Sequence, residues 1–246
     1  MRLALIGYGR MGHTVEDVAV SRGHDVIRRI DPASPDTDDP NRPLEDAGVA
    51  IVFTTPEAVW EAVSMAAEAG VDLVVGSTGW SDHLPEVESA VHTAGIGMIH
   101  SPNFSMGVYV FRLLAGAAAR MIDGLEGYDV RIDETHHEHK VDHPSGTAIA
   151  LAEILVEGLS SKHRWEEEEE RGVGADAGTL YVTSTRAGEV AGIHEIEITG
   201  PDDGLALKHM AKGRAAFAKG AVAAAEWIHG RKGVYTMDDW LGGTGR

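Results

Sequence analysis

The 246-residue sequence predicts an α/β protein with two domains: a doubly wound parallel sheet, and a second α+β domain with a mixed or antiparallel sheet. Over roughly the first hundred residues, short apolar runs alternate with helix-like segments, which is typical of βαβ units. From residue 128 to 210, several runs alternate between apolar and polar residues, as half-buried strands do. An Ala-rich helical segment over 213–229 follows them. We therefore expect residues 1–104 and 214–246 to form the first domain, and residues 105–213 to form the second.

The composition excludes several classes of function. The chain carries 21 Lys and Arg against 39 Asp and Glu, and this net charge of −18 argues against a surface for nucleic acid or an anionic membrane. It has no cysteine, so disulfides and thiol chemistry are excluded. No apolar run approaches the roughly 18 residues of a membrane-spanning helix. We expect a soluble, cytoplasmic protein, and we hypothesise that its acidic surface suits a high-salt cytoplasm.

A glycine-rich turn opens the first domain. The apolar run Leu3–Ile6 predicts a strand, and Val15, Val18 and Ala19 recur at helical spacing. Between them stands the G-x-G-x-x-G motif Gly7-Tyr8-Gly9-Arg10-Met11-Gly12. In such a motif the first glycine makes the tight turn, the second admits a pyrophosphate, and the third lets helix and strand pack closely. This context predicts a Rossmann-type, dinucleotide-binding domain.

An acidic residue stands where this fold needs one. The strand predicted over His24–Ile30 is followed by Asp31, which lies 19 residues after the last glycine of the motif. Rossmann domains place an acid about 20 residues on, where it binds the ribose hydroxyls. Because a carboxylate repels a 2′-phosphate and the next residue is Pro32, we favour NADH as the cofactor. Arg28 and Arg29 keep NADPH open as the alternative.

Further βα units follow the polar loop over Pro32–Pro43. Strands are predicted over Val49–Phe53, Val71–Val75 and Ile96–Ile99, with helices over Glu57–Ala69 and about 82–93 between them. Ligands of doubly wound sheets bind at the carboxyl ends of the strands. Taken singly, each of these strand ends is equally consistent with an ordinary turn. The candidate cofactor-binding residues there are Phe53, Thr54, Thr55, Gly76, Ser77, Thr78, Ser101, Asn103 and Phe104.

The second domain begins with a long helix predicted over Met106–Ile122. Strands are then predicted over Tyr128–Asp133, Gly178–Thr185, Gly192–Thr199 and Leu205–Met210. The acidic run Glu166–Glu170 is interpreted as a solvated loop or helix face. The tail Val234–Leu241 is expected to cap the helix over 213–229. An exposed face of the second sheet is a candidate oligomer surface.

The segment over residues 136–147 joins a predicted strand to a predicted helix and reads His136-His137-Glu138-His139-Lys140-Val141-Asp142-His143-Pro144-Ser145-Gly146-Thr147. Backbone N–H groups of Ser145, Gly146 and Thr147 at the helix start, with the positive end of the helix dipole, predict an anion site. Lys140 adds a positive charge, and His136 and His137 add groups that titrate near neutral pH. Together they suit proton transfer to a carboxylate-bearing substrate.

Two other interpretations of this segment stay open. Its four histidines, His136, His137, His139 and His143, match metal-ligating residue types. We predict no metal site, because the helical i, i+4 pattern of metalloproteases is missing and the anion site would be unexplained. The segment is also compatible with a solvated polar loop, and His143, which precedes Pro144, is interpreted as plain loop.

The chain resembles the dihydrodipicolinate reductase family of the lysine and diaminopimelate pathway. The likeness is most specific from Glu134 to Ala148, where a Glu, a His pair, a further His-Lys, an Asp and Pro-Ser-Gly-Thr-Ala recur in order. It extends to the glycine-rich turn with Arg10-Met11-Gly12, to Gly76-Ser77-Thr78-Gly79 and to Asn103-Phe104-Ser105 with Gly107. It also includes Arg214 with Gly220-Ala221-Val222, and so spans nearly the whole chain.

The resemblance implies a role for each part of the segment. His136 would be the catalytic acid/base, Lys140 the second catalytic group, and His137 a substrate contact. Ser145, Gly146 and Thr147 would hold a carboxylate of the substrate, a cyclic imine with two carboxylates that NAD(P)H reduces. Residues 105–213 would form a substrate-binding and oligomerisation domain of a homotetramer.

The resemblance also implies a cofactor site. The glycine-rich turn with Arg10 and Met11, Asp31 and the strand-end residues would surround the nicotinamide cofactor. Arg214, at the start of the last long helix, is a candidate cation at the domain junction and is counted with them.

The chain departs from the family pattern in a shorter glycine motif, a short loop after Asp31, Thr135 and His143. These departures leave cofactor preference most open. Two other functions also stay open: a related oxidoreductase on another small acid, such as an aspartate dehydrogenase-like enzyme, and a nucleotide-sensing regulator without turnover.

Overall fold

The strands and helices alternate along the first part of the chain, as expected. The computed structural model describes residues 1–31, 33–34, 38, 44–172 and 176–242, so most of the loop predicted over Pro32–Pro43 lies outside the described residues. The strands are β1 Arg2–Ile6, β2 Asp25–Ile30, β3 Val49–Val52, β4 Asp72–Val75, β5 Gly97–His100, β6 Asp129–His136, β7 Arg164–Glu168, β8 Thr179–Arg186, β9 Ile193–Thr199, β10 Gly204–Met210 and β11 Gly233–Tyr235. The helices are α1 Arg10–Ser21, α2 Val59–Ala69, α3 Leu84–Ala94, α4 Met106–Ile122, α5 Gly146–Gly158, α6 Ala215–Ile228 and α7 Met237–Leu241.

The chain forms two compact units. One comprises Met1–Met106 with Arg214–Arg246, and the other comprises Gly107–Gly213. No helix within the described ranges is both long and apolar enough to cross a membrane.

The first unit contains a six-stranded sheet in the order β11-β5-β4-β3-β1-β2. All its strand pairs are parallel, which confirms the doubly wound sheet. Strands β3 and β4 are buried along their whole length, as expected for strands covered on both faces. The strand order reverses between β1 and β3, and ligands of such sheets bind at the crevice formed there.

The last strand of this sheet was not predicted. Residues Gly233–Tyr235 pair with β5 in the register Val234 to Met98, although Val234 and Tyr235 were expected to belong to a tail that caps a helix. A three-residue strand is too short to show an apolar alternation, so the sequence gives no signal for it. The remainder of the tail forms α7, whose first turn is closed by reciprocal bonds between Thr236 and Asp239.

The second unit contains a five-stranded mixed sheet in the order β10-β9-β6-β8-β7. Strands β6, β8 and β7 run parallel, and β6, β9 and β10 pair antiparallel. This confirms the predicted α+β architecture. One core joins apolar residues of the sheet to those of α4 and α5, including Ala115, Ile132, Leu151, Leu180 and Ile196.

The interpretation of the acidic run as a loop or helix face was wrong for its first part. Glu166 to Glu168 lie in β7, an edge strand parallel to β8. Glu168 is buried and forms an ion pair with Arg131. Charged residues on an edge strand discourage pairing with another chain. The sequence hid this strand because Trp165 is its only apolar residue.

Candidate active site

His136 is the last residue of β6, not the first residue of a loop. The strand is longer than predicted, and Val130, Ile132, Glu134 and His136 are its buried residues. The alternation that defines the strand thus continues through Glu134 and His136, but with polar side chains on the inner face. A search for apolar periodicity therefore ends the strand too early.

Glu134 lies at the centre of this polar end of the sheet and is 1% exposed. One oxygen, Oε1, accepts the backbone N–H of Ser145 at 2.9 Å. The other, Oε2, lies 3.3 Å from His136 Nδ1 and 3.5 Å from His194 Nε2. Burial acts to raise the pKa of Glu134, but the polar contacts of His136, His194 and Ser145 outweigh it and hold the pKa well below its ordinary value. The residue is therefore a buried carboxylate.

His194 is a site residue that the sequence analysis missed. It lies on β9 directly opposite Glu134, and its Nε2 is 3.0 Å from Ser145 Oγ. Its ring meets that of His136 edge-on, with centroids 5.1 Å apart. The only sequence signal was a histidine on the apolar face of a predicted strand, and this does not show what the strand pairs with.

Ser145 forms the start of α5. Its Oγ accepts the N–H of Ala148 at 3.3 Å, as an N-cap does, while its own N–H is donated to Glu134. A Cβ at Gly146 would have no atom within 4 Å. The N–H groups of Gly146 and Thr147 come next in this first turn, where N–H groups have no partner within the helix. These two residues are therefore the best placed to bind an anion.

The ammonium of Lys140 is paired with its near neighbour Asp142, at 2.7 and 2.8 Å from the two carboxylate oxygens. Burial acts to raise the pKa of Asp142, but the contact with Lys140 lowers it overall. Arg186, which ends β8, donates to the Asp142 carbonyl at 2.6 Å and to the Lys140 carbonyl at 3.3 Å. Arg186 is the second site residue that the sequence analysis missed.

The histidines after His136 point to different partners. His143 Nδ1 lies 3.0 Å from Glu167, and exposed His139 lies 3.8 Å from Glu189. His137 Nδ1 is buried without a hydrogen-bond partner in the described part of the chain. The four histidines of the segment therefore do not form one metal site.

A different set comes within metal-ligand reach. Among described residues, potential ligand atoms of Glu134, His136 and His194 lie within 4.8 Å of one another. The guanidinium of Arg186, however, lies 3.3 Å from the same carboxylate. A positive charge in this position supplies the charge balance that a metal would provide and repels a cation. The arrangement favours a set of ion pairs and hydrogen bonds around Glu134 over a metal centre.

The glycine-rich turn of the first unit is shaped for close approach of a ligand. Gly7 has φ +89°, and a Cβ there would lie 2.0 Å from the Phe53 carbonyl oxygen. Around Gly9, by contrast, a Cβ would meet nothing within 4 Å. Gly9 is also the N-cap of α1 and offers no side chain to cap it. The open helix start fits a pyrophosphate group.

Asp31 follows β2 and lies beside this turn. Its Oδ2 accepts the N–H of Tyr8 at 2.9 Å, and its Oδ1 accepts the N–H of Ala33 at 2.9 Å. The two nearby arginines are engaged elsewhere: Arg28 donates to the Ile27 carbonyl, and Arg29 forms a two-pronged ion pair with Glu16. This pair raises the pKa of Arg29 and lowers that of Glu16.

The other strand ends converge at the same edge of the sheet. Thr54 N–H donates to Ser77 Oγ at 2.9 Å, which ties the end of β3 to that of β4. Ser101 Oγ donates to the Asn103 carbonyl at 2.9 Å. A cavity of about 180 Å³ lies at the ends of β4 and β5. Its lining comprises Ser77, Thr78, Gly79, Trp80, Ser81, Leu84, His100, Ser101 and Pro102.

Trp80 and His100 are among the lining residues of this cavity that were not predicted. Trp80 is buried and donates its indole N–H to the Ser77 carbonyl. Burial lowers the pKa of His100, which favours a neutral imidazole there. Two of the other predicted residues are tightly packed against neighbouring residues. A Cβ at Gly76 would clash with the Phe53 ring, and a Cβ at Gly220 would clash with Phe104. Arg10, Thr78 and Arg214 are exposed, and Met11 is half-buried.

Two family models together match most of the chain. The model described as "Dihydrodipicolinate reductase, N-terminus" matches residues 1–104, and "Dihydrodipicolinate reductase, C-terminus" matches residues 107–241. Similar curated proteins include the 4-hydroxy-tetrahydrodipicolinate reductase of Christiangramia forsetii, 36% identical over 243 residues and covering 98% of each chain. The enzyme of the same name from Methanopyrus kandleri is 42% identical over 201 residues, which is 81% of this chain and 73% of that one.

Solved structures share the fold. A dipicolinate-bound dihydrodipicolinate reductase from Paenisporosarcina sp. TG-14 superposes with a TM-score of 0.76 at 23% identity, covering 98% of this chain and 99% of that one. An aspartate dehydrogenase from Thermotoga maritima gives a TM-score of 0.52 at 13% identity, covering 94% and 97%.

Proposed function

This chain belongs to the dihydrodipicolinate reductase family, and from that premise we propose that it reduces a dihydrodipicolinate-type cyclic imine to tetrahydrodipicolinate with NAD(P)H, in lysine and diaminopimelate biosynthesis. One observation carries the proposal beyond family membership. The Glu134 carboxylate contacts both His136, the proposed acid/base, and Ser145, the residue that starts the proposed carboxylate-binding helix. The residue proposed for proton transfer and the helix start proposed for substrate binding are therefore both held by the same buried carboxylate.

The second unit supplies the groups that bind and protonate the substrate. One carboxylate of the ring binds the N–H groups of Gly146 and Thr147 at the start of α5. Lys140 exchanges Asp142 for a substrate carboxylate, and His137 contacts the substrate. His136 supplies or relays the proton, and the Glu134 carboxylate lies 3.3 Å from its Nδ1. Acid/base catalysis of this kind contributes roughly 10² to 10⁴ to the rate.

The first unit supplies the residues for the dinucleotide. When bound, NAD(P)H supplies the hydride that reduces the ring. Gly9 leaves room for the pyrophosphate at the start of α1, while Gly7 and Gly12 allow the tight turn and the close packing of helix and strand. Arg10 and Met11 belong to the same turn. The remaining proposed contacts are Phe53, Thr54, Thr55, Gly76, Ser77, Thr78, Ser101, Asn103, Phe104 and Arg214.

NADH is the proposed preference. Asp31 lies where a 2′-phosphate would be repelled. The guanidinium of Arg29 is already bound to Glu16, and that of Arg28 to a backbone carbonyl. The charge of Arg29 is therefore already paired, which disfavours binding of a 2′-phosphate by this residue. The carbonyl that accepts from Arg28 is neutral and does not balance its charge, so Arg28 keeps NADPH open as the alternative.

A homotetramer built through the second sheet is the proposed assembly, and the cytoplasm the proposed location. The face of this sheet away from α4 and α5 carries ion pairs such as Arg171–Glu197 and Lys208–Glu195. Because the core of a protein interface is depleted in charged residues, these pairs are expected at the polar rim of such an interface. Light scattering coupled to size exclusion measures the number of copies.

The test is oxidation of NADH and of NADPH in the presence of freshly made product of the preceding pathway enzyme. Wild type is compared with the double variant His136→Ala/Lys140→Ala, and with Arg164→Ala as a surface control. Lost turnover in the double variant with unchanged nucleotide binding supports the proposal. If wild type binds nucleotide but turns over nothing, the aspartate dehydrogenase-like and regulatory alternatives replace it. Aspartate and other small acids are then assayed as substrates.

A further inference from the structure

Arg186 lies outside the 134–148 signature but contacts three of its members. Its Nη2 donates to the Asp142 carbonyl at 2.6 Å, and its Nε donates to the Lys140 carbonyl at 3.3 Å. Nη2 also lies 3.3 Å from Glu134 Oε1. One guanidinium therefore connects the main chain around the proposed catalytic lysine to the buried carboxylate at the centre of the site.

Hydrogen bonds to the main chain hold the segment over residues 137–145 at its start, its middle and its end. At its start, the N–H of Glu138 donates to the Gly188 carbonyl at 3.1 Å, and Gly188 N–H donates back to Glu138 Oε1 at 3.2 Å. Arg186 holds its middle. At its end, Ser145 N–H donates to Glu134 Oε1. Of these three contacts, only the one in the middle lies next to Lys140.

The chemistry of the contact requires an arginine. Two carbonyl oxygens and one carboxylate oxygen are bound at different angles, and a planar guanidinium offers five N–H donors in a fixed fork. An ammonium is a point charge on a flexible stem and cannot span all three. The Arg186 side chain is 19% exposed, so water competes little for these bonds.

We propose that Arg186 is a positioning residue for the reductase: it fixes the main chain of residues 140–142 so that the Lys140 ammonium meets a substrate carboxylate. The inference rests on the proposed function. Lys140 must change partner, from the mostly exposed Asp142 carboxylate to the substrate. If the backbone stays fixed during this exchange, only the side chain of Lys140 has to reorient. A misplacement of about 1 Å at such a group can reduce the rate roughly 10²-fold.

The kinetic test uses Arg186→Ala and Arg186→Lys, with Arg164→Ala as the matched control. Arg164 lies on the same unit and forms ion pairs only at the surface, with Glu166 and Asp176. We expect kcat/KM for the dicarboxylate to fall roughly 10- to 100-fold in both Arg186 variants. The KM for NADH is expected to stay unchanged, and added guanidinium ion to restore part of the activity of Arg186→Ala. The control should match wild type.

Limited proteolysis measures the positioning without any substrate. Lys140 is the only trypsin site between Arg131 and Lys162, so cleavage after it reports on this segment alone. Cleavage should be faster in both Arg186 variants than in wild type or Arg164→Ala, at temperatures where all remain folded. Because Arg186→Lys keeps the charge and most of the side chain, it serves if Arg186→Ala does not fold.

The inference is overturned if the Arg186 variants keep wild-type kcat/KM, or lose activity without faster cleavage after Lys140. The second result would mean that Arg186 acts on the substrate directly. Failure of the proposed function looks different, since wild type itself would then not oxidise NADH or NADPH with the imine. The proteolysis result is independent of that failure.

Discussion

The Asp31 carboxylate accepts a hydrogen bond from the backbone N–H of Tyr8 at 2.9 Å. This bond joins the end of β2 to the glycine-rich turn that follows β1. Because the N–H belongs to the turn itself, the negative charge is fixed beside the proposed dinucleotide site rather than carried on a free side chain.

Replacing Asp31 should therefore change cofactor preference. In Asp31→Ser we expect the ratio of kcat/KM for NADPH to that for NADH to rise roughly 10-fold, or about 1.4 kcal/mol. The repulsion of the 2′-phosphate is lost, and so is a ribose contact. Steady-state kinetics with both cofactors measures the ratio. Asp46→Ser, at an exposed surface carboxylate of the same unit, is the control, and an unchanged ratio in Asp31→Ser would contradict this role.

The Glu16–Arg29 pair gives a second, independent prediction on the cofactor. Glu16→Gln removes the anion that holds the Arg29 guanidinium, so Arg29 becomes able to meet a 2′-phosphate. We expect the KM for NADPH to fall severalfold while the KM for NADH changes little. The double variant Glu16→Gln/Arg29→Gln should lose this gain. If it does not, the effect has another origin.

Gly192 leaves room for the His136 ring. Its φ is +151°, and a Cβ there would lie 3.0 Å from His136 Nε2. We expect Gly192→Ala to shift the imidazole and to lower kcat roughly 10- to 100-fold with nucleotide binding intact. Gly213→Ala is the matched control, because Gly213 has a similar φ of +137° but a Cβ there meets nothing within 4 Å. Equal losses in both variants would assign the effect to backbone strain.

The sequence predicted those parts of the site whose residues lie close to one another along the chain. Gly7, Gly9 and Gly12 lie in one turn, and Ser145 to Thr147 start one helix, so a motif describes each of them. The family resemblance, carried by such motifs, is confirmed. The individual roles assigned to these residues stay predictions.

The contacts between strands could not be predicted. His194 and Arg186 reach Glu134 because β9 and β8 both pair with β6 in a particular register. The sequence predicts β8 and β9 as strands, but it does not show which strand each of them pairs with or in what register. Strands β7 and β11 were missed for a related reason, since a short or highly charged edge strand has no apolar alternation.

Because the pKa of Glu134 is lower in the folded chain than in the unfolded chain, the free energy of unfolding depends on pH. In the unfolded chain the pKa of this carboxyl lies near its ordinary value of 4.5, and in the folded chain its pKa is lower. The unfolded state therefore binds the proton first as pH falls, and the stabilisation present above about 4.5 is lost below it. Glu134→Gln lacks this component. The difference in free energy of unfolding between wild type and variant should be largest near neutral pH and should shrink below about 4.5.

Chemical denaturation at several pH values measures this difference. Glu126→Gln, at an exposed carboxyl in the turn before β6, is the control and should show no such trend. A difference that stays constant from neutral to acidic pH would mean that Glu134 stabilises the fold through packing rather than charge.

The net charge of −18 predicts how the enzyme responds to salt. Both proposed ligands are anions, so at low ionic strength the whole-chain field opposes their approach to Lys140 and to the glycine-rich turn. Salt shortens the range of this repulsion to about 10 Å at 0.1 M, whereas contacts inside the site are shorter than that and are screened less. We expect kcat/KM and Tm to rise as KCl is added from low to molar concentration.

Equal ionic strengths of NaCl and KCl separate screening from ion-specific binding. Activity that is highest at low salt would show that the positive groups at the site dominate the field, and would remove the argument for a high-salt cytoplasm.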